Sequence, residues 1–258
     1  MSSPADLPVL PRTIAHGVTW LGGCLEVVFE GENHHCHVST YLVVGEHKAL
    51  LVDTGHPKDW EQLERDLDEI LGARPLDYIF PTHPEMPHAG NIPRLLAKHP
   101  DAVIIGDTRD YHLYYPEFEA QLKAMKPGES VDLGGRSFVV AEAIIKDLPN
   151  TVWGFDSGED VLFVSDGYSF IHEHGVGQCA LLAEEMPNLP SAKETRFINE
   201  RALYWTQYHP MDPYFDRLDA LRQELGVRII APAHGNVISR LEMILPALES
   251  GYRGDAAG

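Results

Sequence analysis

Basic side chains and cysteine are the scarce components of this sequence. Its 258 residues carry 20 Lys and Arg against 39 Asp and Glu, a formal charge of −19. A surface so short of positive charge argues against nucleic acid or an anionic membrane as partner, because either would need neutralising cations. Three cysteines, Cys24, Cys36 and Cys179, are too few and too scattered for a disulfide framework, and one must stay unpaired. No apolar run approaches the ~18 residues of a membrane-spanning helix. The opening MSSPADLPVLPRT also lacks the basic-then-apolar pattern of an export signal. These absences predict a cytoplasmic protein. Its 44% apolar and 23% charged content is that of a globular chain long enough to bury a sizeable core.

Short β-rich runs come first: GVTWLGG, LEVVFEG, VSTYLVVG and KALLVDTG, parted by glycines and polar turns. HPKDWEQLERDLDEILGA then spaces Trp60, Leu63, Leu67, Ile70 and Leu71 as one face of a helix that Gly72 closes. LDYIFPT and DAVIIGD read as strands, and NIPRLLAKHP as a helix with Pro93 in its first turn. Residues 109–126 read as an aromatic-rich helix, ESVDLGGRSFVVAEAII as a hairpin turning at Gly134–Gly135, and DVLFVSD as a strand. INERALYWTQYH, DPYFDRLDALRQELG and SRLEMILPALESGYR read as helices, with VRIIAPAHG a strand before the last. The order, β-rich then α, β, α and the same again, predicts sheets packed on each other with helices outside, in one domain over 1–258.

The positions of the polar residues are more informative than the elements. LDYIFPTH runs into His83, DVLFVSD into Asp166 and VRIIAPAH into His234, so three apolar strands each lead to a potential metal ligand. Ligands at strand ends stand on a rigid base. The stretch IFPTHPEMPHAGN adds Glu85 and His88, and Pro84 and Pro87 stiffen the loop that carries them. Asp53 in LLVDTG ends a buried strand and is expected to accept a hydrogen bond from this loop or from a ligand histidine.

The segments YLVVGEHKALLVDTG, THPEMPHAGN, LFVSDG and APAHGN together resemble the metallo-β-lactamase superfamily, over about residues 40–240. The resemblance implies an α/β fold, an αββα sandwich of two mixed β-sheets flanked by helices, with a dimetal site on the strand-end loops. Hydrolytic members read H-x-H-x-D-H, whereas this chain reads His83-Pro-Glu85-Met-Pro-His88. The glutamate looks like the flavodiiron branch, as do DLPNTVWGFDSGEDVLFVSDGYSF and YWTQYHPMDPYFDRLDALRQELGVRIIAPAHG. Carried across, His83 and Glu85 would bind a first metal, His88 and His234 a second, and Asp166 would bridge them. Two positions depart from the branch: Pro87 stands where it has an aspartate, and Asp147 where it has a histidine. The candidate ligands are therefore His83, Glu85, His88, Asp147, Asp166 and His234, with an open face on the second metal. No cysteine stands at a ligand position, which counts against soft-metal chemistry there.

Two iron ions are the expected cofactor, with zinc, manganese or a single-metal site as alternatives. Histidines in ENHHCHVST and FIHEHGVGQ flank the expected site mouth. Of these His35, His37 and His172 are the candidates for catalytic proton donors or a replacement ligand. Cys36 between them reads as a small buried residue. Flavodiiron proteins continue into a flavodoxin domain, and no such segment follows here, so electrons are expected from an external partner, a small reductant or the substrate itself. The aromatic stretch YHLYYPEF is a candidate pocket lining or plain core. Three functions stay open: an oxidoreductase acting on dioxygen or a nitrogen oxide, with or without an organic small-molecule substrate; a dimetal hydrolase of esters, lactones or phosphoesters; and a non-catalytic gas sensor. A homodimer is compatible with each.

Overall fold

Alternation along the strands divides the buried side chains into separate layers. The chain is described here by a computed structural model covering residues 7–254. Strands β1 (Arg12–Ala15), β2 (Val18–Phe29), β3 (Glu32–Val44), β4 (Ala49–Val52), β5 (Tyr78–Phe80), β6 (Val103–Gly106) and β7 (Leu122–Ala124) form one sheet in that order. The pairs from β1 to β4 are antiparallel and those from β4 to β7 parallel. The second sheet contains β8 (Ser130–Asp132), β9 (Ser137–Glu142), β10 (Val152–Asp156), β11 (Val161–Phe163) and β12 (Ile229–Ala231), in the order β12-β11-β10-β9-β8. Only β11 and β12 pair in parallel there.

All four residues of β4 are buried, and its period of two explains how. Leu50 and Val52 face the second sheet, in a core with Trp20, Tyr41, Phe80, Phe138 and Phe163. Ala49 and Leu51 face the opposite way, onto α1 (Trp60–Leu71) and α3 (Ile92–Lys98) through Leu63, Leu67 and Leu95. On the outside of the second sheet, α6 (Asp212–Leu225) and α7 (Leu241–Arg253) bring Phe215, Leu218, Leu245 and Leu248 against Trp153 and Leu162. Helices α2 (Met86–Ala89), α4 (Tyr111–Tyr114) and α5 (Ala192–Asn199) are shorter. This is the expected αββα sandwich.

Several local expectations are corrected. GVTWLGG and LEVVFEG are one strand, with Gly22 and Gly23 inside it. Gly22 has φ +107, and a Cβ there would lie 2.2 Å from the Val38 carbonyl oxygen, so glycine permits close approach of β3 rather than a turn. The helix expected over 109–126 is only the four residues of α4, a 3-10 segment from Pro116 and then β7. Pro116 offers no N–H and restricts the residue before it, and Tyr115 leaves helical geometry at φ −135°, ψ 65°. INERALYWTQYH is helical only to Asn199, with a 3-10 turn over Tyr204–Tyr208. In YHLYYPEF only Tyr111 is core, buried among Leu63 and Leu95 with Tyr115 and Phe118 packed on that cluster, while Leu113 and Tyr114 are exposed.

Candidate metal centre

Each of the three strands that lead to a ligand ends on an apolar residue, Phe80, Phe163 or Ala231, and its polar residue follows three positions later. The intervening residues turn the chain over the sheet edge. His83, Asp166 and His234 therefore meet above the ends of β5, β11 and β12. His83 and Asp166 are buried and His234 is nearly so. His88 arrives on α2 and is buried as well.

One ligand atom each from His83, His88 and Asp166 lies within 4.8 Å of the others, and His83, Glu85 and Asp147 form a second such group. Asp166 Oδ1 lies 3.4 Å from His88 Nε2 and 3.5 Å from His234 Nε2. On the other side His83 Nε2 is 3.4 Å from Asp147 Oδ2 and 3.8 Å from Glu85 Oε2. The six expected ligands are brought together. They divide into a carboxylate-rich half around His83 and a half with His88, His234 and Asp166.

The outer contacts fix how the rings point. His88 Nδ1 donates to Asp53 Oδ2 at 2.9 Å, and His234 Nδ1 donates to the His37 carbonyl at 2.6 Å. His83 Nδ1 lies 2.9 Å from Ser165 Oγ. In His88 and His234 the proton on Nδ1 leaves a lone pair on Nε2, the arrangement metal-ligating histidines adopt. His83 Nε2, His88 Nε2 and Asp166 Oδ1 are buried and have no hydrogen-bond partner. Leaving such atoms unpaired in a protein interior is costly, and a cation between them removes that cost. The donor set fits a metal pair. Asp147 is oriented too: Thr151 Oγ1 donates to its Oδ1 at 2.8 Å, leaving Oδ2 towards His83.

Asp53 takes the role expected of it. Its Oδ1 accepts from the Thr82 backbone N–H at 2.7 Å while Oδ2 holds His88. Asp53 and Ser165, which orient two ligand histidines, both sit in the left-handed region at φ 56° and 52°.

The electrostatics of the cluster also call for positive charge at its centre. Burial pushes His88 towards neutrality, yet Asp53 and Asp166 hold its pKa well above the usual imidazole value. Burial likewise opposes charge on His234, but Asp166 and the neighbouring Cys36 raise it to about 9. Burial would raise the Asp166 carboxyl; His234, His88 and His83 pull it below the ordinary range instead. A bound cation would take the place of the protons on these rings.

His35, His37 and His172 are placed elsewhere. Their ring nitrogens are not part of the His83–Asp166 groups. His35 and His172 exchange backbone hydrogen bonds at 2.7 and 2.9 Å, and the His37 and His172 rings stack at 4.6 Å. Only the backbone carbonyl of His37 reaches the metal centre, through His234. No ring here replaces the aspartate missing at Pro87. Cys36 is buried, as expected of a small core residue, with Ile171 and Ile198.

Residues 35–185 match the family model described as the metallo-beta-lactamase superfamily. The chain belongs to this superfamily. Among its relatives is the nitric oxide reductase of Moorella thermoacetica, 27% identical over 87% of this chain and 57% of that protein. The coenzyme F420H(2) oxidase of Methanothermobacter marburgensis is 24% identical over 96% of this chain and 61% of its own length. The chain thus spans well under two thirds of either relative. The flavodiiron protein from Giardia intestinalis shares the fold at a TM-score of 0.75, with 15% identity, 96% of this chain and 60% of that one covered.

Proposed function

We propose that this chain is a non-haem diiron oxidoreductase module that acts on dioxygen or a nitrogen oxide. The observation that carries the reading is the convergence of His83, Glu85, His88, Asp147, Asp166 and His234, three imidazoles and three carboxylates, with their unpartnered atoms facing one another. Such a mixed nitrogen and oxygen set suits iron. The names of the Moorella and Methanothermobacter relatives, a nitric oxide reductase and an oxidase, point the same way. His83, Glu85 and Asp147 would hold one iron and His88 and His234 the other, with Asp166 between them. Iron held there would supply the redox chemistry, and Pro87 offers it no ligand atom.

The protein's own part is positional. Asp53, Ser165 and the His37 carbonyl hold the three rings in register. Glu85, exposed at the rim, has its carboxyl drawn below the usual range by the His83 imidazole 3.8 Å away, which outweighs its partial burial. Asp147 also lines an open surface cavity with Leu148, Trp205 and Tyr214. Electrons come from an external donor in this reading, and the protein acts as a monomer or homodimer.

The test is to produce the protein with iron, measure metal content, reduce it and follow consumption of oxygen or nitric oxide with excess reductant. About two irons per chain and sustained gas consumption are expected. Zinc content with turnover of a chromogenic ester would replace this reading with a hydrolase. Reversible gas uptake that consumes no reductant would replace it with a sensor. Alanine at Glu85 should lower iron content, and unchanged stoichiometry would remove Glu85 from the ligand set.

A further inference from the structure

A second group of metal-binding side chains lies beside the first, and none of its ring or thiol donors belongs to the metal centre. It begins with strand register. In the β2–β3 pair Cys24 stands directly opposite His37 and Glu26 opposite His35. Side chains of opposed residues share a face, and those two positions along share it too. Cys24, His35 and His37 therefore project together, while Cys36 between them turns the other way. Across this face lies the segment after Ile171, pinned by the paired backbone hydrogen bonds between His35 and His172. It brings His174 to stack on His35 at 3.8 Å and sets Cys179 beside His37.

One donor atom each from Cys24, His37 and Cys179 lies within 4.8 Å of the others, as do those of Cys24, His35 and His174. His174 Nε2 is 3.3 Å from Cys179 Sγ and 3.8 Å from Cys24 Sγ. A tetrahedral zinc with bonds of ~2.3 Å to sulfur and ~2.0 Å to nitrogen separates those donors by ~3.5 Å. The two measured separations bracket that edge. The tautomers are also set for it. His174 Nδ1 donates to the Gly175 carbonyl at 2.8 Å, leaving a lone pair on Nε2 towards both sulfurs. His37 Nε2 donates to the Cys179 carbonyl at 2.7 Å, leaving its fully buried Nδ1 unprotonated and without a partner. Cys24 and Cys179 are free thiols and only partly buried, so a cation can reach them from solvent.

We propose that Cys24, His37, His174 and Cys179 form a second, thiolate-containing site for a zinc-class divalent cation, separate from the His/carboxylate centre. On binding, the two thiols release their protons to solvent and both sulfurs coordinate as thiolates. His35 stacks on His174 and holds that ring over the site. The cation would tie β2, β3 and the 172–179 segment together.

The proposal does not rest on the diiron reading, and a spectroscopic probe separates them. The six residues of the first centre include no cysteine, and the one thiol beside it, Cys36 next to His234, is controlled with Cys36→Ser. A thiolate-to-metal charge-transfer band in the near ultraviolet that survives in Cys36→Ser therefore comes from the second site. The reduced, metal-free protein is titrated with Co2+ under anaerobic conditions. The expected result is a sulfur-to-cobalt band whose full amplitude corresponds to about one thiolate-bound cobalt per chain and that survives in Glu85→Ala. The band should be lost in Cys24→Ser and in Cys179→Ser, each of which should also bind about one zinc fewer than wild type. Absence of the band in the wild-type protein overturns the proposal, whatever the variants do. So does a Cys24–Cys179 disulfide that, once reduced, leaves cobalt uptake without a sulfur band.

Discussion

The two clusters on either side of β3 make an instructive pair. One is built from three imidazoles and three carboxylates on strand-end loops, buried at its centre and opening at Glu85. The other is built from two thiols and imidazoles on a strand pair and a crossing segment, half-open to water. Strand β3 serves both. Cys36 and the His37 carbonyl meet His234, while the His35 and His37 rings stand in the second cluster. The period of two along β3 turns the Cys36 side chain away from the face that carries the His35 and His37 rings. What differs is how the donors are held. Every imidazole of the first centre has a separate side-chain or backbone partner on its far nitrogen. The thiols of the second have only one another and the rings.

The sharpest way to break the symmetry is Asp166→Ala. Asp166 is the one carboxylate in contact with both His88 and His234, so its loss should drop metal at the first centre from about two per chain to below one. The sulfur-to-cobalt band of the second cluster should be untouched. Metal analysis and the cobalt titration read the two together, and parallel loss of both signals would mean the clusters are not independent.

Stripping all metal comes next. A cation present a thousandfold above its dissociation constant stabilises by about 4 kcal/mol, which for a chain of this size moves the midpoint by roughly 8–16 °C. Calorimetry before and after chelation should show a fall of this order. Adding back iron alone should restore only part of it. Full recovery with iron alone would deny the second site any structural weight.

Asp53→Asn should have a smaller, one-sided effect. It keeps the shape but removes the charge that orients His88, so metal affinity at the first centre should fall about 10- to 100-fold, as seen in competition with a chelator. Cobalt–sulfur absorption should not change.

The smallest effect concerns the strap behind Cys179. Arg12 donates to the Ala180 carbonyl and pairs with Glu185 through two contacts of 2.6 and 2.9 Å. The hydrogen bonds from Arg12 keep the Glu185 carboxyl below its usual pKa despite partial burial. A lowered carboxyl stabilises above the unfolded value of ~4.3 and loses that contribution as pH falls through the folded value. Glu185→Gln should therefore cost at most about 1 kcal/mol near neutral pH, by urea denaturation, and nothing once the wild-type carboxyl is protonated.

The first centre was legible because its signals are local. An apolar run ending in a histidine or aspartate can be seen in eight residues, and His83, Asp166 and His234 each follow one. Asp53 was legible for the same reason. The second cluster left no such trace. Cys24 faces His37 only through the register of a long hairpin, and His174 reaches them only because His35 pairs with His172. Read in one dimension, Cys24 and Cys179 are two unrelated thiols. The missed helix at 109–126 has a different cause, since its aromatic spacing hid the break that Pro116 imposes.

Asp53 and Ser165 hold backbone angles that only glycine adopts at no steric cost. A left-handed aspartate or serine forgoes about 1–2 kcal/mol relative to a relaxed one. Glycine at either place would recover part of that while discarding the side chain that steers a ligand ring. Heat resistance would not follow, because glycine at position 53 strands the buried Thr82 N–H and the His88 ring without their acceptor. The strained backbone is kept because what the side chain holds outweighs it.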